Sequence, residues 1–389
     1  MKNKFGVCFV ASYFPRQCGI ATFTQSIIDG LAEDDSVISK VVAINDPDAS
    51  HRYDARVIAQ IEESDSATYR KAAEAVNNDP DIDVVSLQHV FSLFGGKNGE
   101  YIIEFLEHLK KPVFTTFHMV YSPFHKPNKH EVVDKNYIDL THRIYSLSEK
   151  VIVIIQPMKD ILVNEYGLDG DKIIVMPHGS PIKRYSPKTI EKLKQKYNMN
   201  DKQIISTFGL IRPKKGLENV IYAMPEVIKK HPNTVFIIVG TNHPNRPNEY
   251  YAFLISETKR LGLESHVVFK NQFVTPEEIF EYLAITDAFV TPYVVPEQTS
   301  SGVMAYAMGC GKAIISTPFV YAKEVLSDKR GLFVNYNDPH SIFLAIDFLL
   351  SHPRHRRRME RLAFKYATKN SWHKITEEYK SLFMSSIRN

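Results

Sequence analysis

The chain has 389 residues, 44% of them hydrophobic and 24% charged, with a formal net charge of +4. That length suits two domains with full cores. The small positive balance fits attraction to phosphate-bearing ligands and falls well short of a nucleic-acid binder. The opening Met-Lys-Asn-Lys is basic, but the apolar run at 5–10 is soon broken by Pro15, Arg16 and Gln17, so no signal peptide is predicted. No apolar stretch approaches the ~18 residues needed to span a bilayer, and the expected location is cytoplasmic. FGVCFVAS at 5–12 predicts a buried strand, and the theme repeats at 40–44, 83–88, 112–117, 150–155 and 172–177. Helical patterns such as GIATFTQSIIDGLAED and NGEYIIEFLEHLKK lie between several of these runs. Apolar strands separated by helices predict a parallel sheet covered on both faces.

The polar segment 182–202 interrupts this pattern, which then restarts with strands expected at 203–209, 234–240, 266–271, 287–292 and 312–317. Helices are expected over about 216–231, 250–261, 276–285 and 301–308. The predicted fold class is α/β, with two Rossmann-like doubly wound domains. The boundaries are 1–182 for the first domain, 183–202 for a linker with a short surface helix, 203–365 for the second domain and 366–389 for a closing helix. Trp372, Ile375, Tyr379 and Leu382 fall at helix spacing in that last segment and predict packing. Ligands of such sheets gather beyond the carboxyl ends of the strands, so a cleft between the two units is the expected site. HPRHRRRMER at 352–361 is the one basic run. It reads as a solvated helix face, with contact to an acidic membrane surface or an anionic polymer as the alternative. Cys8, Cys18 and Cys310 form no CxxC pair and read as reduced packing residues.

Two stretches carry the chemistry. In FGLIRPKKGLENVIYAMPEV (208–227), Arg212, Lys214 and Lys215 lie between a strand end and a helix start. A helix amino end has unbonded amides, and cations beside it make a diphosphate site. In PEQTSSGVMAYAMGCGKAII (296–315), Thr299, Ser300, Ser301 and Gly302 stand directly before a helix, with Glu297 just ahead. Ser300 or Ser301 would cap that helix. Small residues leave its first amides open to phosphate, and the Glu297 carboxylate suits sugar hydroxyls.

Together these segments resemble the retaining glycosyltransferases of family 4, built from two Rossmann-like domains facing a central cleft (the GT-B fold), and the resemblance covers nearly the whole chain. SYFPRQCGIATFTQSIIDGL (12–31) is similar to that family's first strand–loop–helix, where Gly19 opens the helix that faces the cleft. PVFTTFHMV (112–120) resembles a middle strand, and His118 matches a histidine beside the donor sugar. VMPHGSP (175–181) resembles the segment before the domain crossover, Arg212 and Lys215 match the basic pair on the donor diphosphate, and the Trp-containing helix resembles the one crossing back onto the first domain. The resemblance implies a nucleotide-sugar donor with a UDP- or GDP-linked hexose, a carbohydrate or glycoconjugate acceptor, retention, and no cofactor or metal. It assigns catalysis to His118, Glu297, Arg212 and Lys215. It assigns donor binding to Gly19, Arg212, Lys215, Glu297, Thr299, Ser300, Ser301 and Gly302. One position departs: Tyr306 stands where the family's second glutamate, a ribose partner, belongs, and eight positions before it is Gln298.

Weaker signals are the Asp-x-Asp pairs Asp46/Asp48, Asp81/Asp83 and Asp169/Asp171, read as solvated turns. The histidines, His125, His130 and His142 among them, fit no zinc spacing. His89 and Gly95-Gly96 either line the acceptor side or make a tight turn, and Glu324 either reaches the donor or starts a helix. A phosphorylase or epimerase of the same fold, and a two-lobed sugar-binding protein, are the competing functions.

Overall fold

The computed structural model describes residues 4–16, 18–46, 51–123, 135–241, 249–272 and 274–386, so His125, His130 and Asp48 lie outside the described residues. The chain divides into two compact units: Met1–Gly179 together with Trp372–Asn389, and Ser180–Ser371.

The first unit runs β1 (Phe5–Ala11), α1 (Gly19–Leu31), β2 (Val37–Asn45), β3 (Val57–Glu62), α2 (Ser66–Asn78), β4 (Val84–His89), α3 (Ile102–His108), β5 (Val113–Phe117), α4 (Lys135–Leu147), β6 (Lys150–Val153), α5 (Gln156–Asn164) and β7 (Ile173–Val175). The second unit holds α6 (Pro187–Lys196), β8 (Gln203–Phe208), α7 (Leu217–Lys230), β9 (Thr234–Val239), α8 (Glu249–Arg260), β10 (Val267–Lys270), α9 (Pro276–Ile285) and β11 (Ala288–Thr291). It continues through α10 (Gly302–Gly309), β12 (Ala313–Ser316), α11 (Val320–Val325), β13 (Gly331–Phe333), α12 (Pro339–Ser351) and α13 (Pro353–Lys369). A final helix, α14 (Trp372–Ser385), belongs to the first unit again.

The first sheet has the order β3-β2-β1-β4-β5-β6-β7 and the second β10-β9-β8-β11-β12-β13. Every pairing within them is parallel. Strand order therefore reverses between β1 and β4 in one sheet and between β8 and β11 in the other, and ligands of open α/β sheets bind at such points. The apolar strand runs follow from burial on both faces. In β9, Phe236 and Ile238 join the core built with α7, α8 and α12, while Val235, Ile237 and Val239 join the one built with α6 and α9. Leu193 of α6 packs in that second core, so residues 183–202, read as a linker with a surface helix, contribute to the second unit's interior.

In the first unit, α14 closes the core: Ile375, Tyr379 and Phe383 are buried among Phe9, Phe23, Ile27 and Phe114. Tyr379 Oη lies 3.1 Å from Thr116 Oγ1 on β5. Two edge strands, β3 and β13, escaped the sequence reading. In β3 only Ile61 is fully buried, and in β13 Phe333 is exposed, so neither carries an apolar run.

Candidate functional site

In the second unit, the two stretches singled out in the sequence meet at the reversal of strand order. The loop after β8 holds Arg212 and Lys215; the loop after β11, the strand paired beside it, leads into α10. The Lys215 ammonium donates to Tyr293 Oη at 2.5 Å and lies 4.0 Å from the centre of that ring. Tyr293 Oη is 3.4 Å from Ser301 Oγ, the N-cap of α10, and its ring stacks on Phe319 with centroids 5.0 Å apart. The backbones interlock as well: Val294 N–H donates to Lys214 C=O at 3.1 Å. A Cβ on Gly216, whose φ is +61°, would stand 2.3 Å from Pro292 C=O, so only glycine allows this approach.

The two helix starts differ. Ser301 occupies the N-cap of α10 without a side-chain capping bond, which leaves the amides of Gly302 and Val303 uncapped by it. At α7 the Leu217 N–H already donates to Tyr250 Oη at 2.9 Å, and that hydroxyl also bonds Glu218. At the start of α7, therefore, the Leu217 amide is already engaged, while Arg212 and Lys215 stand on the loop just before it. Thr299 is fully buried and Ser300 half-buried, with the Ser300 carbonyl accepting from Gln298 Nε2 at 2.8 Å.

Glu297 is half-buried. Its loop is held by the start of α11, where Val320 N–H donates to Pro296 C=O and Tyr321 N–H to Gln298 C=O. Burial, with the Glu297 carboxylate as a second cause, pushes the Tyr336 phenol up to about 12. The Tyr336 hydroxyl is buried without a hydrogen-bond partner among the described residues, a feature that nothing in the sequence signalled.

In the first unit, His118 packs against Phe23 of α1, the helix that Gly19 opens. The Phe23 ring meets His118 edge-on at 4.5 Å and His178 at 5.1 Å. Gly19 opens α1 behind its N-cap Cys18, whose Sγ accepts from Ala21 N–H. A Cβ on Gly19 would touch nothing within 4 Å, so nothing in the protein's own packing requires glycine there. His118, just past β5, is 4% exposed, and its Nε2 lies 2.9 Å from Gln88 Oε1 on β4. Burial holds its imidazole down to about 3, with His178 and His89 adding a little. At neutral pH it is therefore uncharged.

The family model described as "Glycosyltransferase Family 4" matches residues 19–184, and the one described as "Glycosyl transferases group 1" matches residues 189–366. The chain belongs to the family 4 glycosyltransferases. One relative is the GDP-mannose-dependent alpha-(1-6)-phosphatidylinositol monomannoside mannosyltransferase of Mycolicibacterium smegmatis, 26% identical over 190 residues, which are 46% of this chain and 47% of that one. Another is the D-inositol 3-phosphate glycosyltransferase of Corynebacterium glutamicum, 26% identical over 248 residues, or 60% of this chain and 56% of that one. The chain spans about half the length of the curated relatives it matches. Among solved structures, Anabaena HepE in complex with UDP-glucose superimposes with a TM-score of 0.75 at 16% identity, covering 98% of this chain and 99% of that one. Sucrose-phosphate synthase of Thermosynechococcus elongatus gives 0.77 at 15% identity, covering 99% and 100%. These likenesses carry the fold, two Rossmann-like domains of the GT-B type.

Within this family 4 chain, Tyr306 is the departure. Its ring stacks against Phe280 at 5.6 Å and meets Phe208 edge-on at 5.8 Å, so a half-buried aromatic cluster occupies the place of a carboxylate. The weaker candidates are structural. Asp83 accepts from Gly6 N–H, Asp81 pairs with Lys40, Asp169 caps the turn at Gly170–Lys172, and Asp46 pairs with Arg16. Gly95 and Gly96 make a tight turn, the first because a Cβ would stand 1.8 Å from Glu63 C=O, the second with φ +81°. Glu324 is exposed in the last turn of α11. Burial pushes the Cys8 and Cys310 thiols up to about 12, as suits packing residues.

Proposed function

We propose that the protein transfers a hexosyl group from a nucleotide sugar to a carbohydrate or glycoconjugate acceptor, with retention and without a bound metal ion. The observation that carries this reading is the Lys215–Tyr293–Ser301 chain, which links the Lys215 ammonium, on the loop that also bears Arg212, to the N-cap of α10 at the point where strand order reverses. A diphosphate there would meet a guanidinium, an ammonium and backbone N–H groups at once.

The chemistry then needs little else. As the anomeric carbon–oxygen bond breaks, negative charge grows on the departing diphosphate. Arg212, Lys215 and the α10 amides would stabilise it in place, a contribution of typically ~3–4 kcal/mol per well-aimed donor. The acceptor hydroxyl would attack on the face the diphosphate leaves and pass its proton to a departing phosphate oxygen. Glu297 would accept hydrogen bonds from the hydroxyls of the donor sugar. On the same reading, His118 in the first unit offers a neutral imidazole suited to polar contact with a sugar hydroxyl. The GDP-mannose dependence in one relative's name and the UDP-glucose in the HepE complex support a nucleotide sugar as donor, and keep both uridine and guanosine in view.

A thermal-shift panel of UDP-, GDP- and ADP-linked hexoses tests the reading. A true donor at ~100 times its dissociation constant adds ~2.7 kcal/mol to stability. A flat panel, with no release of nucleoside diphosphate from any member, would sink the proposal.

A further inference from the structure

The basic run noted in the sequence forms most of α13, and the structure shows how its charges are arranged. Met359, Ala363 and Ala367 are the helix's buried residues, and α13 packs with that side on α10 and β12. On the opposite side, Arg354, Arg357, Arg358, Arg361, Lys365 and Lys369 are all exposed. Spacings of three and four residues put these six on one face. At 1.5 Å per residue the row is roughly 22 Å long.

The face carries no balancing acid. The sole carboxylate of α13, Glu360, is half-buried and turned to Arg356 at 3.6 Å, and Arg356 itself pairs with Asp287 at 3.0 Å. None of the six exposed cations makes an ion pair among the described residues. Arg184, exposed over the Phe364 ring at 4.7 Å, adds a further charge beside them. Six unpaired charges exceed the whole chain's net +4, so the rest of the protein is net acidic and the positive field is concentrated on this helix.

We propose that α13 docks the protein on a bilayer surface bearing anionic lipid headgroups. The six cations share one exposed face of α13, so a surface array of anions can meet several of them together. No Phe, Tyr or Trp lies among the exposed positions of α13, where His355 is the one exposed ring, so a run of stacking platforms of the kind that holds single-stranded nucleic acid is missing. No large apolar side chain is exposed on α13 either, so attachment is electrostatic and leaves the acyl region untouched. This inference stands independently of the proposed reaction.

Co-sedimentation of the full chain with vesicles tests it. The protein should pellet with phosphatidylcholine vesicles containing phosphatidylglycerol and stay in solution with phosphatidylcholine alone. Raising salt from about 0.1 M to about 1 M should release it, since the screening length falls from ~10 Å to ~3 Å. The triple variant Arg354→Gln, Arg358→Gln, Arg361→Gln should bind about a hundredfold more weakly, at roughly one kcal/mol per headgroup-facing cation. A control that removes three exposed lysines elsewhere, Lys188→Gln, Lys192→Gln, Lys229→Gln, should bind as the parent does. The proposal is overturned if the α13 variant pellets like the parent. It is equally overturned if the control loses as much, or if an oligonucleotide binds more tightly than the charged vesicles.

Discussion

The ammonium of Lys215 is held by the hydroxyl of Tyr293, so a charge on the loop after β8 is positioned by a side chain just past β11. A lysine on a flexible stem needs such an anchor to act as a fixed partner for phosphate. Lys215→Ala and Arg212→Ala should each weaken binding of UDP, GDP or ADP by about 10- to 100-fold, the range expected for a charge-assisted hydrogen bond of about 1.5–3 kcal/mol. Tyr293→Phe keeps the ring stacked on Phe319 and removes only the anchor, so a loss of about fivefold is expected. Isothermal calorimetry reads all three, and unchanged affinity in the first two variants would remove the diphosphate from this site.

Glu297→Gln should leave nucleoside diphosphate affinity intact and slow sugar transfer by about 10- to 100-fold, because the amide is a poorer acceptor for sugar hydroxyls than the carboxylate. Turnover and calorimetry on one preparation separate the two effects. Full turnover in the variant would take Glu297 out of the reaction.

Two buried imidazoles make the first unit sensitive to acid. Burial holds both His118 and His89 down to about 3, against an unfolded value of about 6.5. A folded value below the unfolded one means that the unfolded chain binds protons first. Stability is therefore full above about pH 6.5 and is lost as pH falls from there toward 3. Each histidine should cost the fold about 2 kcal/mol between pH 7 and pH 5. Urea melts followed at both pH values should show the loss, and a His89→Phe variant should show less of it. Both His89 ring nitrogens are buried without a hydrogen-bond partner among the described residues, so a ring without nitrogens suits the site.

Tyr379→Ala should destabilise the first unit by about 3–5 kcal/mol, since a fully buried ring and its contact with Thr116 are lost together. Limited proteolysis should then cut within Met1–Gly179 while Ser180–Ser371 stays protected. Equal sensitivity of both units would contradict the assignment of α14 to the first core.

How much of this was legible beforehand depended on burial. The eleven strands read from apolar runs all appear: the central ones are covered on both faces and so are apolar throughout, and the edge strands β7 and β10 are short apolar runs as well. β3 and β13 sit at sheet edges with polar or exposed side chains, so their pattern is indistinguishable from loop. Arg212, Lys215 and the Ser301-Gly302 helix start were visible because cations and small residues beside a strand end have few other uses. Tyr293 was not, since a tyrosine after a strand ordinarily reads as core. Its role as anchor depends on the pairing of β8 with β11, which brings together Lys215 and Tyr293 across 78 positions of sequence. Tyr336 was hidden for the same reason: only folding places its hydroxyl near Glu297.

The place of α14 also bears on how the protein is made. All of Ser180–Ser371 leaves the ribosome before Ile375, Tyr379 and Phe383 do, and those three rings and branches fill the interior of the half translated first. The later half has every strand of its own sheet in one continuous stretch and can settle as it emerges. The earlier half must wait, its core beside β5 incomplete until α14 has been made.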